Sequence, residues 1–327
     1  MTILEVINKT TPYFEKQEVE SPRLTIELLL AHLLKKKRLQ LYLEFERELD
    51  ETTLAALREM VKRRVAGEPV PYITGETEFC GLRLMVDRRV LIPRPETELL
   101  VETVARKVKA ESGERGAGSG ERRAESGEGG GAAREMDAEH LIQPQRHRGH
   151  REGRGAGVKI VDVGTGSGCI AIALAKKLPE AEIFGLDASR EALEVARGNA
   201  AVNKVEKNIR FLESDLLGGL PDSLHVDVVV SNPPYIADGE IAKLPKEVRD
   251  FEPVYALQAG EDGLKVIRRL VTMAKRVLSP SGFMALEIGA GQRPAVEEFF
   301  GQHGYEVAEV VKDLQGHERV VVARLRQ

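Results

Sequence analysis

Hydrophobic positions along the chain keep two different rhythms. Up to about residue 70 they recur every three to four residues, the repeat of a helix with one buried face. Ser21 and Pro22 ahead of Leu24, Ile26 and Leu28 to Leu30 predict a cap, a proline in the first turn and an apolar face. Asp50 ahead of Leu54, Leu57 and Val61 predicts another capped helix. The rhythm breaks at Pro71, Tyr72, Ile73, Thr74 and Gly75. Glu78 to Val86 then predicts a hairpin around Gly81. Val90 to Glu98 holds two prolines followed by acidic residues. That composition suits a rigid loop leading into a helix from about Glu96 to Lys109.

From Val158 onward, short apolar runs alternate with helical stretches, as in a parallel sheet covered by helices. Strands are expected at Lys159 to Val163, Glu182 to Asp187, Asn208 to Leu212, Val226 to Ser231 and Phe283 to Ile288. Tyr305 to Val307 and Val320 to Ala323 would complete the sheet. Helices are expected from Gly168 to Leu178 and from Ser189, as a cap, to Asn199. Residues 111–157 are rich in Gly, Glu and Arg and almost free of aromatic or branched apolar side chains. Such a segment buries too little surface to offset its ordering entropy, so a disordered insertion is expected. The chain thus divides into a helical part, 1–74, and an α/β part, 75–327. The second part includes a hairpin connector at about 75–90 and the insertion.

Composition narrows the chemistry. A chain of 327 residues can bury a sizeable core, and a net charge of −4 argues against a broad nucleic-acid footprint. The basic clusters Lys35 to Arg38 and Lys62 to Arg64 read as solvated helix ends, where cations suit the helix dipole. Cys80 and Cys169 are far apart and suggest neither a disulfide framework nor a zinc site. Cys169 reads as a small buried residue on a helix. His140, His147 and His150 fall in the glycine-rich segment and read as polar residues, so no metal is expected. With no apolar run long enough to cross a bilayer and no signal-like start, a cytoplasmic protein is expected.

Two polar signatures interrupt the apolar strands. The first, Asp162 to Gly168, places Gly164, Thr165, Gly166, Ser167 and Gly168 at a strand-to-helix turn. Glycines there let backbone approach a ligand, and the helix N-terminus offers free N–H groups. The spacing Gly-x-Gly-x-Gly differs from the dinucleotide fingerprint Gly-x-Gly-x-x-Gly. Asp187 ends the next strand and can accept from both hydroxyls of a ribose, and Asp215 follows the third strand as if to approach an adenine. The second signature, Asn232, Pro233, Pro234 and Tyr235, follows the fourth strand. An amide or nucleobase nitrogen is a poor nucleophile because its lone pair is delocalised. The Asn232 carbonyl can accept one hydrogen of such an NH2 and the Pro233 backbone carbonyl the other. The prolines stiffen the loop, and Tyr235 can lie against the flat face of the substrate. Held in this way, the nitrogen can point its lone pair at a methyl group. The pair of signatures reads as methyl transfer from S-adenosyl-L-methionine to an amide or amino nitrogen. A proline-rich turn is the plainer reading of the tetrapeptide alone, but Gly164, Asp187, Asp215 and Asn232 all fall at carboxyl ends of predicted strands, where open α/β sheets bind ligands.

The chain resembles the peptide chain release factor N5-glutamine methyltransferases over nearly all its length outside 111–157. The likeness rests on Pro71 to Gly75, Val90 to Glu98, the glycine turn, Asn232 to Ile236 and Lys312 to Gly316. The run Arg94-Pro95-Glu96-Thr97-Glu98 is the most specific of these. The resemblance implies a class I S-adenosylmethionine-dependent methyltransferase fold, Rossmann-like with a mainly parallel seven-stranded sheet, behind a small N-terminal helical domain. It implies a glutamine substrate in the Gly-Gly-Gln loop of class-1 release factors, docked on the helical domain. By position, Gly164 to Gly168 and Asn232 would line the cofactor, Asp187 its ribose and Leu216 its adenine. A monomer is expected, with neither nucleic acid nor membrane as partner. Methylation of a ribosomal-protein glutamine, or of a nucleobase amine, stays open as an alternative. The insertion departs from the family pattern, and Ala256 to Gly263 carries an alanine where a first glycine is expected.

Overall fold

The structure, a computed structural model, describes residues 1–117 and 157–326. The first part is helical, with α1 (Ile3–Lys16), α2 (Pro22–Leu33), α3 (Arg38–Leu43), α4 (Glu51–Val65) and α5 (Val70–Thr74). Thr2 and Glu5 close a capping box on α1, and the Asp50 carboxylate caps α4 by accepting from Thr53 N at 2.7 Å. Ser21 stands at the expected start of α2, but it adopts a left-handed φ of 48° and its hydroxyl makes no capping bond. The helices pack on a core of their own that includes Ile3, Ile7, Phe14, Ile26, Leu29, Leu30 and Leu41. Neither basic cluster is simply solvated. Arg38 reaches Glu27, Arg63 reaches Glu68, and the buried Arg64 pairs with Glu247 at 2.8 Å.

Gly75 ends α5 in the left-handed region, and the chain turns into the hairpin of β1 (Glu76–Phe79) and β2 (Leu82–Met85). Cys80 and Gly81 form its two-residue turn, both at positive φ, the geometry that matches strand twist. Tyr72, from the junction motif, donates to Val90 O at 2.6 Å and so ties the helical part to the loop that follows the hairpin.

Helix α6 (Pro95–Ala117) runs beyond the expected end at Lys109 and into the segment expected to be disordered. Glu111 lies within it and pairs with Arg324. Residues 118–156 of that segment, including His140, His147 and His150, lie outside the described residues. Beyond it come β3 (Lys159–Val163), α7 (Cys169–Lys177), β4 (Glu182–Asp187), α8 (Arg190–Val202), β5 (Ile209–Glu213) and β6 (Val226–Ser231). Then follow α9 (Lys246–Arg249), α10 (Lys265–Ala274), β7 (Leu278–Glu287), α11 (Arg293–Gln302), β8 (Tyr305–Lys312) and β9 (Glu318–Leu325). Ser189 caps α8 as expected, accepting from Ala192 N at 3.1 Å. Cys169 opens α7 and is half-buried, more exposed than its sequence context suggests.

The seven strands stand in the order β5-β4-β3-β6-β7-β9-β8. The first five are mutually parallel, and β9 slots antiparallel between β7 and β8. One apolar core lies on each face of the sheet. One holds Ile160, Ile172, Leu174, Val228 and Phe283, and the other Val161, Leu186, Leu270, Val271 and Phe300. The strand order reverses between β3 and β6, which is where a sheet of this kind opens a crevice at its carboxyl edge. Both polar signatures end at that crevice: Val163 and Ser231 are register partners, and each strand hands its chain to one of the loops. Among the described residues no helix is long and apolar enough to cross a membrane.

Candidate active site

The glycine turn is held from below by two acids. Asp162 is fully buried on β3, and its Oδ2 accepts from Thr165 Oγ1 at 2.6 Å and from Ala171 N at 3.2 Å. Burial pushes its pKa up to about 7, against the pull of those donors. Asp187, at the end of β4, accepts from Gly166 N at 2.9 Å and from Ser189 N at 2.8 Å. Burial raises its pKa as well, opposed by backbone N–H groups of Ser189, Gly166 and Ala188. Gly164 and Gly166 take positive φ, and a Cβ on Gly164 would meet nothing within 4 Å. That bare edge faces open space, as a ligand cradle should. Gly168 has a different task. A Cβ there would sit 3.2 Å from Ala196 Cβ, so its bareness lets α7 pack on α8.

Asp162 Oδ1 and Ser167 Oγ are buried around this turn without a hydrogen-bond partner among the described residues. Orphaned acceptors at a glycine cradle, with a ribose-type carboxylate alongside, fit a nucleoside cofactor that carries donor groups. Leu216 follows β5 at a φ of 52°, half-buried against the second core, with its carbonyl accepting from Ser214 Oγ at 2.7 Å. Asp215, expected near an adenine, is exposed and pairs with Arg269 on α10 at 2.6 Å.

The loop after β6 is braced on every side. Asn232 Nδ2 donates to Thr97 Oγ1 at 3.0 Å, and no described residue donates to its Oδ1. Pro233 is buried, and Pro234 and Tyr235 are partly so. The Tyr235 carbonyl accepts from Gln292 Nε2 at 2.9 Å, and Gln292 Oε1 accepts from Gly289 N at 2.9 Å. Ile236 bridges to Gln258, which brings the 256–263 segment against the loop. A Cβ on Gly263 would stand 2.4 Å from the Tyr235 carbonyl oxygen, and its φ is +75°. Gly263→Ala is therefore expected to lower stability by ~1–3 kcal/mol, read by thermal unfolding, because both strain and overlap fall on that carbonyl.

The Arg94 to Glu98 run is where sequence reading understated the site, since it served there only as a family marker. Arg94 pairs at 2.5 Å with the buried Glu252, which also accepts from Ile92 N at 3.2 Å. Thr97 holds Asn232, and Glu98 accepts from Cys80 N at 2.6 Å. The start of α6 thus joins the hairpin, the 252 loop and the Asn232 loop. Glu287 was missed altogether. Register pairs Ser231 with Leu286, so one step on Glu287 lies beside Asn232. It is 1 % exposed, with Oε2 unpartnered. Burial pushes its pKa up to about 7, opposed chiefly by the Thr97 hydroxyl and by Arg319. Tyr235 is itself pushed up to about 12 by burial and the Glu287 charge, which keeps it a neutral phenol. Asp313 organises the β8–β9 turn through Gln315 N and His317 N, and holds Arg319 Nε at 2.9 Å. The signal for Asp162 and Glu287 was present in the sequence as a lone acid inside an apolar strand run, a position that burial makes costly without a purpose.

Two family models match parts of the chain. A family model described as the PrmC N-terminal domain matches residues 5–75, and one described as the methyltransferase small domain matches residues 150–247. Three relatives carry the name release factor glutamine methyltransferase. That of Rhodopirellula baltica is 35% identical, covering 98% of this chain and 95% of its own. That of Koribacter versatilis is 36% identical, covering 99% of each. That of Chlorobaculum tepidum is 37% identical, covering 95% of this chain and 93% of its own.

Proposed function

The chain belongs to the release factor glutamine methyltransferase family, and from that membership we propose that its substrate is the glutamine of the Gly-Gly-Gln loop in class-1 peptide chain release factors. The products are N5-methylglutamine and S-adenosylhomocysteine. The protein is an S-adenosyl-L-methionine-dependent enzyme with a class I methyltransferase fold and a helical N-terminal domain. Residues 1–74 serve as the recognition domain and 75–327 as the transfer domain.

One observation carries the reading of the site. The Asn232 amide is anchored through its nitrogen to Thr97, which leaves its carbonyl oxygen to accept a substrate N–H. Asn232 and the Pro233 carbonyl hold the two hydrogens of the glutamine amide, and Tyr235 covers its flat face. Gly164, Thr165, Gly166, Ser167 and Gly168 form the cofactor turn. Asp187 takes the ribose hydroxyls, Leu216 packs on the adenine, and Asn232 lies between cofactor and substrate. The cofactor supplies an electrophilic methyl group carried on a sulfonium. The protein's share is to orient the amide, keep water away and leave the nitrogen lone pair free.

The test is mass spectrometry of a purified class-1 release factor after incubation with this protein and S-adenosyl-L-methionine. A gain of one methyl group on the Gly-Gly-Gln glutamine is expected, and it should be absent with Asn232→Ala. An unmodified glutamine in the presence of bound cofactor would overturn this substrate and direct the search to ribosomal-protein glutamines.

A further inference from the structure

Gln292 stands directly before α11, where a short polar side chain usually caps a helix, yet its side chain makes no capping bond there. The amide turns to the Asn232 loop instead. Its Nε2 donates to the Tyr235 carbonyl at 2.9 Å and, more weakly, to the Gly263 carbonyl at 3.4 Å, while Oε1 accepts from Gly289 N at 2.9 Å. A backbone N–H only donates and a backbone carbonyl only accepts, so a single orientation of the amide satisfies all three. Three segments distant in sequence meet on this side chain: Tyr235 after β6, Gly263 before α10 and Gly289 after β7. Both glycines are buried. A Cβ on Gly289 would stand 2.9 Å from Gln292 Oε1 and 3.2 Å from Tyr235 Cδ2, so one edge of the tyrosine ring rests by bare backbone. A Cβ on Gly263 would stand 2.8 Å from Gln292 Nε2.

Resting on the function proposed above, we propose that Gln292 is a positioning residue for methyl transfer, which acts by fixing the place of the Tyr235 ring over the substrate amide. The loop has little else to hold it at that point. Pro233 and Pro234 carry no N–H, and the bond to Gln292 is the one hydrogen bond of the Tyr235 main chain among the described residues. The chain is fastened on either side. Asn232 is tied to Thr97, Ile236 N donates to Leu257 O at 3.0 Å, and Ala259 N donates to Ile236 O at 2.8 Å. Without Gln292, the peptide after Tyr235 is free to turn between those two anchors. The ring then swings with it, away from the bare edge of Gly289. The bridge also gives Gly263 and Gly289 a common purpose. Each lets the Gln292 amide come close enough to reach the loop.

Two readouts separate this role from mere bracing and from the function on which it rests. Gln292→Met keeps the length and removes every bond of the amide. Gln292→Glu keeps the acceptor for Gly289 N and removes only the donors, so it serves where the first variant does not fold. With a release factor as substrate, each should lower kcat on the order of tenfold, the scale of one oriented hydrogen bond, and leave affinity for S-adenosyl-L-methionine little changed. Tyr235→Ala keeps the carbonyl that Gln292 binds and removes the ring. In that background either Gln292 variant should lower kcat by no more than about twofold further, while its effect on thermal unfolding should be the same as in the wild-type background. An equal loss of kcat with and without the ring would make Gln292 a brace alone and overturn the proposal. The second readout needs no turnover. In protein carbon-labelled at its tyrosines, the ring signal that Tyr235→Phe removes should shift or broaden in both Gln292 variants. A signal that stays at its wild-type position in both overturns the proposal as well. A wild-type protein that leaves the release factor unmethylated, while this signal responds to both variants, overturns only the substrate reading.

Discussion

Replacing Asn232 by alanine is expected to cut turnover on the order of a thousandfold, the scale of losing an oriented hydrogen-bonding group at a reacting centre. Cofactor affinity should stay within a few-fold. The asymmetry follows from where the side chain is tied. Its nitrogen is bound to Thr97, at the start of α6, whereas the glycine turn hangs from Asp162 and Asp187 on other strands. Removing the amide should therefore leave the glycine turn intact and delete the acceptor proposed to hold the substrate N–H. Steady-state kinetics beside calorimetric titration of S-adenosyl-L-methionine checks both halves. A variant with near-normal kcat would show that Asn232 does not hold the reacting amide. One that loses cofactor binding as well would show that Asn232 carries much of the cofactor's affinity besides lining its site.

The mirror image is Asp187→Ala. Its carboxylate is fastened to Gly166 N and Ser189 N, so its loss releases the glycine turn at the same time as it removes the proposed ribose acceptor. Hydrogen bonds to a charged group contribute ~1.5–3 kcal/mol each, so affinity for S-adenosyl-L-methionine should fall by at least about a hundredfold. The same titration reads this, with thermal unfolding to establish that the variant is folded. At saturating cofactor a substantial part of kcat should return, since the Asn232 loop is braced by Gln292 and the 256–263 segment and owes nothing to Asp187. Affinity within a few-fold of wild type would remove Asp187 from the ribose site.

Much of this architecture is readable in the chain because its signals are local. The apolar runs of β3, β4, β6 and β7, the caps at Asp50 and Ser189 and the turn around Gly81 each depend on a few neighbouring residues. So do the glycine turn and the Asn232 loop, each of which follows directly on a strand. What escaped is what depends on distant partners. Ser21 has the composition of a cap but not its geometry. Arg64 looks like part of a solvated cluster, yet Glu247, far along the chain, takes it out of water. Asp215, after the third strand, pairs with Arg269 on α10, a partner that residue spacing does not reveal. Glu287 acquires its neighbour only when the sheet register sets it beside Asn232. The helix beginning at Pro95 persists to Ala117 through composition that reads as disordered, and Glu111 within it meets Arg324 on the last strand, a partner that residue spacing does not reveal.

The placement of β9 between two strands that precede it has a consequence for how the protein is made. A ribosome delivers the cofactor turn, the Asn232 loop and Glu287 before it delivers Glu318 to Leu325. Until those last residues emerge, β7 has an open edge, a template for wrong pairing. Glu287 meanwhile lacks the Arg319 charge that helps to hold its pKa down in the finished molecule. Every group proposed to contact substrate or cofactor is thus synthesised before the strand that covers the edge of β7. A nascent chain passes through a stage in which both loops of the crevice exist while the sheet beside them is still open.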